Sequence, residues 1–213
     1  MTGQDAGDHG DGPILSRLLA FSDGTFAIGL TLLVLELRPP GSPEAVSALI
    51  PKVIAFAGTF AVVSIFWLAH MSYMRRLRVF DWTTAVINLV LLFWIALTPF
   101  ASATLGDYGG HPYAWYIYGG VMIGASLSQA LLWLVVSRDK GRLIGGVTWR
   151  ERGFRTLRAL SPGLAFAAGV VALRAGRIDL APLSPLLILP IMLLSGVVFG
   201  SRHPRPAARQ DAG

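Results

Sequence analysis

Residues 17–37 read RLLAFSDGTFAIGLTLLVLEL, and this stretch decides how the rest of the chain is interpreted. Its length suffices for a helix that crosses a hydrocarbon layer of about 30 Å at about 1.5 Å per residue. The middle, Phe26 to Leu35, carries no charge, whereas Asp23 lies one to two turns inside the apolar run. A carboxylate at the centre of a span costs about 2.5 to 3.5 kcal/mol. We therefore predict a membrane-spanning helix whose Asp23 has polar partners.

The composition is that of a multi-pass membrane protein. Hydrophobic residues make up 54% of the 213 residues, charged residues make up 14%, and the mean hydropathy is +0.59. Soluble domains carry about 25% charged residues. The chain has no cysteine, and its four histidines are not spaced as metal ligands, so we expect no metal site, no cofactor and no catalytic centre. The protein is predicted not to be an enzyme.

Apolar runs bounded by proline, glycine and charged residues predict six transmembrane helices and an all-α fold. The predicted spans are residues 17–37, 52–74, 82–104, 113–136, 156–173 and 180–200, with a disordered tail over 1–16 and a basic tail over 201–213. Proline residues should bend or delay the last span: Pro182, Pro185 and Pro190.

The distribution of basic residues predicts the orientation of the spans. If both termini are cytoplasmic, all 18 Lys and Arg residues lie on the inner side except Arg38, Lys52, Arg174 and Arg177. This asymmetry agrees with the positive-inside rule, and the loop over residues 137–158 is the most basic part. The net charge of +6 is thus assigned to membrane topology and lipid headgroups, and no nucleic-acid partner is expected.

One face of the first predicted helix carries a narrow aliphatic stripe. With Ile28 placed at 0° and about 100° per residue, Leu32 falls near 40°, Leu35 near 340° and Thr31 near 300°. Asp23 falls near 220°, away from the stripe. On pattern alone, such a stripe is typical of a lipid-facing or packed surface.

Three sequence motifs resemble the transmembrane protein 175 family, the lysosomal potassium channel and its bacterial relatives. The first is R-x-x-x-F-S-D, formed by Arg17, Phe21, Ser22 and Asp23 and continued by AIGLTLLVLEL. The second is W-x-x-H over 67–70, and the third is NLVLLFWIALTPF over 88–100. The resemblance covers the first half of the chain well and the second half in hydropathy only.

The resemblance implies a potassium-selective or weakly selective cation channel in the plasma membrane of a prokaryote. It implies a homotetramer in which the first helices surround the pore, with Ile28, Leu32 and Leu35 forming an apolar constriction. Permeant potassium would be the only bound ion. A ring of Thr31 hydroxyls would then face the path. Glu36 at the outer mouth would concentrate cations, although the charge of Arg38 would partly cancel its effect; a locally paired interfacial residue is the alternative interpretation of Glu36.

Depth in the membrane predicts partners for Asp23. Counted by residue spacing, Asp23, His70 and Asn88 all lie roughly 8 to 11 Å from the inner surface of the membrane, where the basic residues lie. We expect them to form a polar cluster with Ser22, with Trp67 one turn deeper as an indole donor, which fixes the first helix within its subunit. Ordinary satisfied polar contacts between helices remain the alternative, and Arg17 is interpreted as an interfacial anchor.

Two other functions remain open on the sequence. A secondary transporter would show inverted repeats or helices broken at mid-membrane, and only Pro185 and Pro190 hint at a break. A non-conducting structural or sensory membrane protein would share the same hydropathy. The T-V-G-Y-G text of potassium selectivity filters is absent from the sequence.

Overall fold

A computed structural model describes residues 11–138 and 143–199, apart from the side chains of residue 11 and residues 43–45. These ranges contain helices and turns and no β-strand. The α-helices are α1 (Asp11–Leu35), α2 (Ile50–Met74), α3 (Trp82–Ala96), α4 (Thr98–Tyr108), α5 (Pro112–Val136), α6 (Trp149–Arg174) and α7 (Ile188–Phe199). Two 3-10 helices, Pro43–Leu49 and Ile178–Leu187, lead into α2 and α7.

Six helical segments in these ranges are long and apolar enough to cross a membrane, which confirms the predicted fold class. They are Gly12–Leu35, Val46–Met74, Trp82–Tyr108, Pro112–Val136, Trp149–Arg174 and Ile178–Phe199. The third span combines α3 and α4, which are separated at Leu97 because Pro99 cannot donate the backbone hydrogen bond that would continue α3. The sixth span opens with its 3-10 segment because Pro182 and Pro185 lie inside it.

The bounds of several spans differ from the predicted ones. The first helix begins at Asp11, so residues 11–16 are helical instead of belonging to a disordered tail; Pro13 suits a first turn, and Leu15 packs into the core. The third span continues to Tyr108, beyond residue 104. The predicted tails over residues 1–10 and 201–213 lie outside the described residues.

The basic loop predicted over residues 137–158 is largely a helix end. The fifth span begins at Trp149, because the Thr148 side chain accepts a hydrogen bond from the backbone N–H of Glu151 at 3.2 Å and caps α6. Arg150 and Arg155 therefore lie on the first turns of α6. The charges of residues 149–158 are consequently held on one helix at the basic end of the bundle.

The core lies between α2, α3, α5 and α6. Its largest fully buried side chains include Phe66, Met122, Trp133 and Phe166. Helix α1 packs on α3, α2 and α4 at the edge of this core and contributes Phe26 and other buried side chains. One side of α1 therefore remains uncovered within the subunit.

Candidate functional site

The predicted stripe lies on the uncovered side of α1. Ile28 is 60% exposed, Leu32 is 41% exposed and Leu35 is 66% exposed. Thr31 is also exposed, and its hydroxyl donates to the Ile28 carbonyl at 2.9 Å. None of the four is covered by another part of the described subunit, so the face is open to lipid, ions or further subunits.

The opposite side of α1 is held by a buried polar chain. Asn88 on α3 donates from Nδ2 to the Ser22 hydroxyl at 2.8 Å, and Ser22 donates to the Leu18 carbonyl at 2.8 Å. The Asn88 Oδ1 atom lies 2.7 Å from His70 Nε2 on α2. Because this oxygen is an acceptor, the hydrogen lies on Nε2. One asparagine thus connects three helices.

The His70 imidazole has one unpaired nitrogen. Its Nδ1 atom is buried and has no hydrogen-bond partner within the described ranges, and the ring packs against Phe26 at a centroid distance of 5.3 Å. Ser22, His70 and Asn88 are 0%, 1% and 0% exposed. This part of the predicted cluster is therefore a buried interhelical connection.

Asp23 does not belong to the hydrogen-bonded group of Ser22, Asn88 and His70, contrary to the prediction of a buried carboxylate. The residue is exposed, and its Oδ1 accepts a hydrogen bond from Trp67 Nε1 at 3.1 Å. The reason is helical geometry: Ser22 and Asp23 are about 100° apart, so only one of them can face α3. The predicted cluster is in fact two connections, one buried and one exposed.

Arg17 and Phe21 do not take part in either connection. Both are exposed, and Phe21 is 58% exposed. On the wheel that places Ile28 at 0°, Phe21 falls near 20°, in the middle of the stripe. Phe21 enters the prediction only as a residue of the motif, although the same angular count assigns it to the exposed face.

Glu36 is exposed next to a pair of opposite charges, at the end of the bundle opposite to the start of α6. It lines a small crevice with Lys52 and Asp107, and Lys52 Nζ forms a salt bridge to Asp107 Oδ1. The local field at Glu36 is thus set by a lysine and an aspartate as well as by the charge of Arg38. The sequence had indicated only Arg38.

The structure contains a second buried cluster of polar side chains that no sequence motif indicated. The Thr59 hydroxyl donates to Ser102 Oγ at 3.1 Å and lies 3.0 Å from the Tyr118 hydroxyl, so α2, α4 and α5 meet there. Thr59, Ser102 and Tyr118 are spread over 59 positions and share no motif. Only the packing of the helices brings them together.

The basic end carries fixed ion pairs. Asp81 caps α3 by accepting from the Thr84 N–H at 2.8 Å, and Arg138 Nη2 donates to its Oδ1 at 2.8 Å. Partial burial opposes ionisation of Asp81, but the hydrogen bonds from Thr84 and the charge of Arg138 outweigh it and lower its pKa. This pair ties the start of α3 to the end of α5.

The described residues offer no metal centre. Among residues 11–138 and 143–199, no three His, Asp, Glu or Cys side chains are placed to hold a metal ion. Apart from Arg17, Glu36 and the Nδ1 atom of His70, the polar groups described above are joined to one another or to the backbone. The arrangement is consequently suited to holding helices and to forming an apolar surface.

Comparison with known proteins decides the family. Residues 17–99 match the family model described as the endosomal/lysosomal potassium channel TMEM175. Together with a 34% identical bacterial relative, this match shows that the chain belongs to the TMEM175 family. The TMEM175 description is that of an ion channel, not of an enzyme, and it confirms the prediction that this protein is no enzyme.

Individual TMEM175 relatives agree with this assignment. A potassium channel of Chryseobacterium sp. strain P1-3 is 34% identical over 129 residues, covering 59% of this chain and 66% of the relative. The endosomal/lysosomal proton channel TMEM175 of Mus musculus is 29% identical over 111 residues, covering 46% of this chain and 22% of the relative. The match thus spans about two thirds of the bacterial relative and a smaller part of the mouse protein.

A solved structure shows the same fold. The crystal structure of a lysosomal potassium-selective channel TMEM175 homologue from Chamaesiphon minutus superposes with a TM-score of 0.68 at 24% identity. The match covers 89% of this chain and 100% of that chain. The likeness therefore extends through the second half of the chain, where the sequence motifs end.

Proposed function

We propose that this chain is the subunit of a potassium channel of a prokaryotic plasma membrane, assembled as a homotetramer with α1 around the pore. One observation carries the proposal: α1 exposes Ile28, Leu32 and Leu35, whereas its other side is joined to α3 through Ser22 and Asn88. The potassium-channel name of the bacterial relative supports the choice of ion. The proposal needs no cofactor, because potassium is the permeant species.

The exposed stripe would act as a hydrophobic gate. Rings of Ile28, Leu32 and Leu35 from four subunits would exclude water when the helices are close together, and a cation cannot recover its hydration energy there. Opening would require the helices to separate until water enters. The proposed gate therefore works by dewetting, with no carbonyl cage.

Thr31 would supply the polar ring of this path. Its hydroxyl hydrogen is directed to the Ile28 carbonyl, so the lone pairs of its oxygen are available to a cation. A hydroxyl ring replaces a few waters of hydration and gives weak discrimination among cations. Glu36 would raise the cation concentration at the outer mouth, and the salt bridge of Lys52 with Asp107 leaves the Glu36 charge effective.

The buried chain of Ser22, Asn88 and His70 would hold the orientation of α1. Each side chain belongs to a different helix, and rotation of α1 by one residue would replace Ser22 with Asp23 at Asn88. Such a rotation would also turn Ile28 away from the axis. The three hydrogen-bonded side chains would therefore position the gate, and the exposed hydrogen bond between Asp23 and Trp67 would be a second, weaker connection.

The experiment is ion flux from liposomes that contain the purified protein. Potassium, sodium and proton gradients are tested separately, and the mass of the assembly is measured alongside. We expect potassium flux above sodium flux and the mass of a tetramer. Ile28→Asn and Leu32→Asn should raise the flux and lower the preference for potassium, because a polar ring admits water.

Val34→Asn is the matched control, since Val34 is 52% exposed on the same helix but falls near 240° on the wheel. We expect it to leave flux unchanged. Equal effects of all three variants, or flux of protons alone, would contradict the proposal. Transport against a gradient, driven by protons or sodium, would favour the secondary transporter.

A further inference from the structure

A groove at the basic end of the subunit joins apolar and cationic side chains. It lies between α2, α6 and α7, has a volume of about 280 Å³ and opens to the outside of the bundle. Its lining includes Leu68, Ala69, Ser72, Arg155, Arg158 and Met192. The groove is separate from the exposed stripe of α1, and nothing in the conduction proposal uses it.

The lining changes in character along the membrane normal. On α2 the apolar residues Leu68 and Ala69 precede Ser72, which lies two residues before the end of the helix. On α6 the two arginines lie within the first ten residues, about 9 to 14 Å from the helix start. The groove thus has a cationic part toward the ends of α2 and α6, where we expect lipid headgroups, and an apolar wall toward the middle of the span.

Arg155 is held in place before any ligand arrives. Its Nε donates to Glu151 at 3.0 Å and its Nη1 donates to the Ser72 hydroxyl at 3.0 Å. Its guanidinium also lies 5.2 Å from the Trp133 ring centroid and 5.9 Å from that of Tyr73. A guanidinium fixed in this way loses little conformational entropy when it binds an anion.

Arg158 adds an uncompensated charge to the same wall. Its guanidinium lies 5.3 Å from the Phe154 ring centroid and forms no ion pair within residues 11–138 and 143–199. Glu151 is the carboxylate of this cluster and is shared by Arg76 and Arg155. Three guanidinium groups therefore face one carboxylate, and the cationic part of the groove keeps a positive excess that attracts an anion.

We infer that this groove binds the headgroup of an anionic phospholipid of the inner leaflet. Arg155 and Arg158 would contact the phosphate, and the Ser72 hydroxyl, which now donates to the Ala69 carbonyl, would turn to donate to a phosphate oxygen. The acyl chains would follow the apolar wall beside Leu68 and Met192. Charge complementarity selects an anionic lipid over a zwitterionic one, and the apolar wall selects a lipid over a soluble phosphate.

Native mass spectrometry of the purified full-length protein tests this site. The protein is titrated with phosphatidylglycerol or with phosphatidylcholine of the same acyl chains, and bound lipids are counted per subunit. We expect a preference for phosphatidylglycerol that falls about fivefold in Arg158→Gln, as the loss of about 1 kcal/mol per surface arginine implies. Binding of phosphatidylcholine should stay the same.

Arg150→Gln is the matched control, because Arg150 is exposed on the same helix beside Trp149 and outside the groove. It should leave the preference intact. Ala69→Phe fills the apolar wall without changing charge and should weaken phosphatidylglycerol binding, provided that gel filtration shows an unchanged assembly; if the assembly changes, the comparison of Arg158→Gln with Arg150→Gln decides alone.

Three results would overturn the inference. The first is an equal fall in Arg158→Gln and Arg150→Gln, which would indicate general surface charge. The second is inorganic phosphate that competes for the groove as effectively as phosphatidylglycerol does, which would indicate that the site binds a soluble anion. The third is the absence of any preference in the wild-type protein, which is also the result expected if a neighbouring subunit fills the groove.

Discussion

The two sides of α1 are similar in composition and opposite in environment. Leu33 is 1% exposed and adjoins Leu32, which is 41% exposed. On the buried side, Ser22 bonds to Asn88. Because lipid is as apolar as a protein core, hydrophobicity does not distinguish the two sides in a membrane; packing and interhelical hydrogen bonds do. The contrast shows that orientation of α1 is fixed from its buried side.

We expect the largest difference in the free energy of unfolding between Leu33→Ala and Leu32→Ala. Leu33 packs within the subunit, so its truncation leaves a cavity and should cost about 2 kcal/mol, whereas Leu32→Ala should cost under about 0.5 kcal/mol. Thermal unfolding of both variants in the same detergent measures the difference. Equal losses of stability would mean that Leu32 is also packed, and the exposed side would then have to be reassigned.

The next largest effect is expected from Asn88→Ala. This change removes the connection from Ser22 to His70 and should cost about 1 to 2 kcal/mol, because two buried polar groups lose their partner. A double-mutant cycle with Ser22→Ala provides the control. Strict additivity of the two changes would show that the hydrogen bond does not couple α1 to α3.

The smallest effect is expected from Trp67→Phe. It removes the hydrogen bond to the exposed Asp23 while keeping an aromatic side chain, and membrane hydrogen bonds of this kind average about 0.6 kcal/mol. Unfolding of Asp23→Asn in parallel tests whether the carboxylate itself is required. A loss larger than that of Asn88→Ala would reverse the ranking of the two connections.

The sequence predicted the features that depend on local composition. Hydropathy located six spans, and the motif led to the connection between Ser22, His70 and Asn88 that the structure contains. The angular count also grouped Ile28, Leu32 and Leu35 on one face, and the subunit leaves all three exposed. These predictions succeed because each rests on helical spacing or on depth in the membrane.

Features that depend on tertiary packing were missed. Asp23 is exposed although depth alone grouped it with His70, because depth carries no information on which way a side chain turns. The meeting of Thr59 and Tyr118 depends on how three helices cross. The break at Leu97 required knowing how the chain accommodates Pro99, whereas the 3-10 start of the sixth span agrees with the delay predicted from Pro182 and Pro185.

The most direct test of the central claim uses the absence of cysteine from the chain. Single cysteines are introduced at Leu35 and Val34, neighbouring exposed positions of α1, and potassium flux is followed while a water-soluble cationic thiol reagent is added. If the stripe faces the ion path, the reagent should block most of the flux through Leu35→Cys and leave Val34→Cys and the unmodified protein unchanged. Block through Val34→Cys with none through Leu35→Cys would contradict the account.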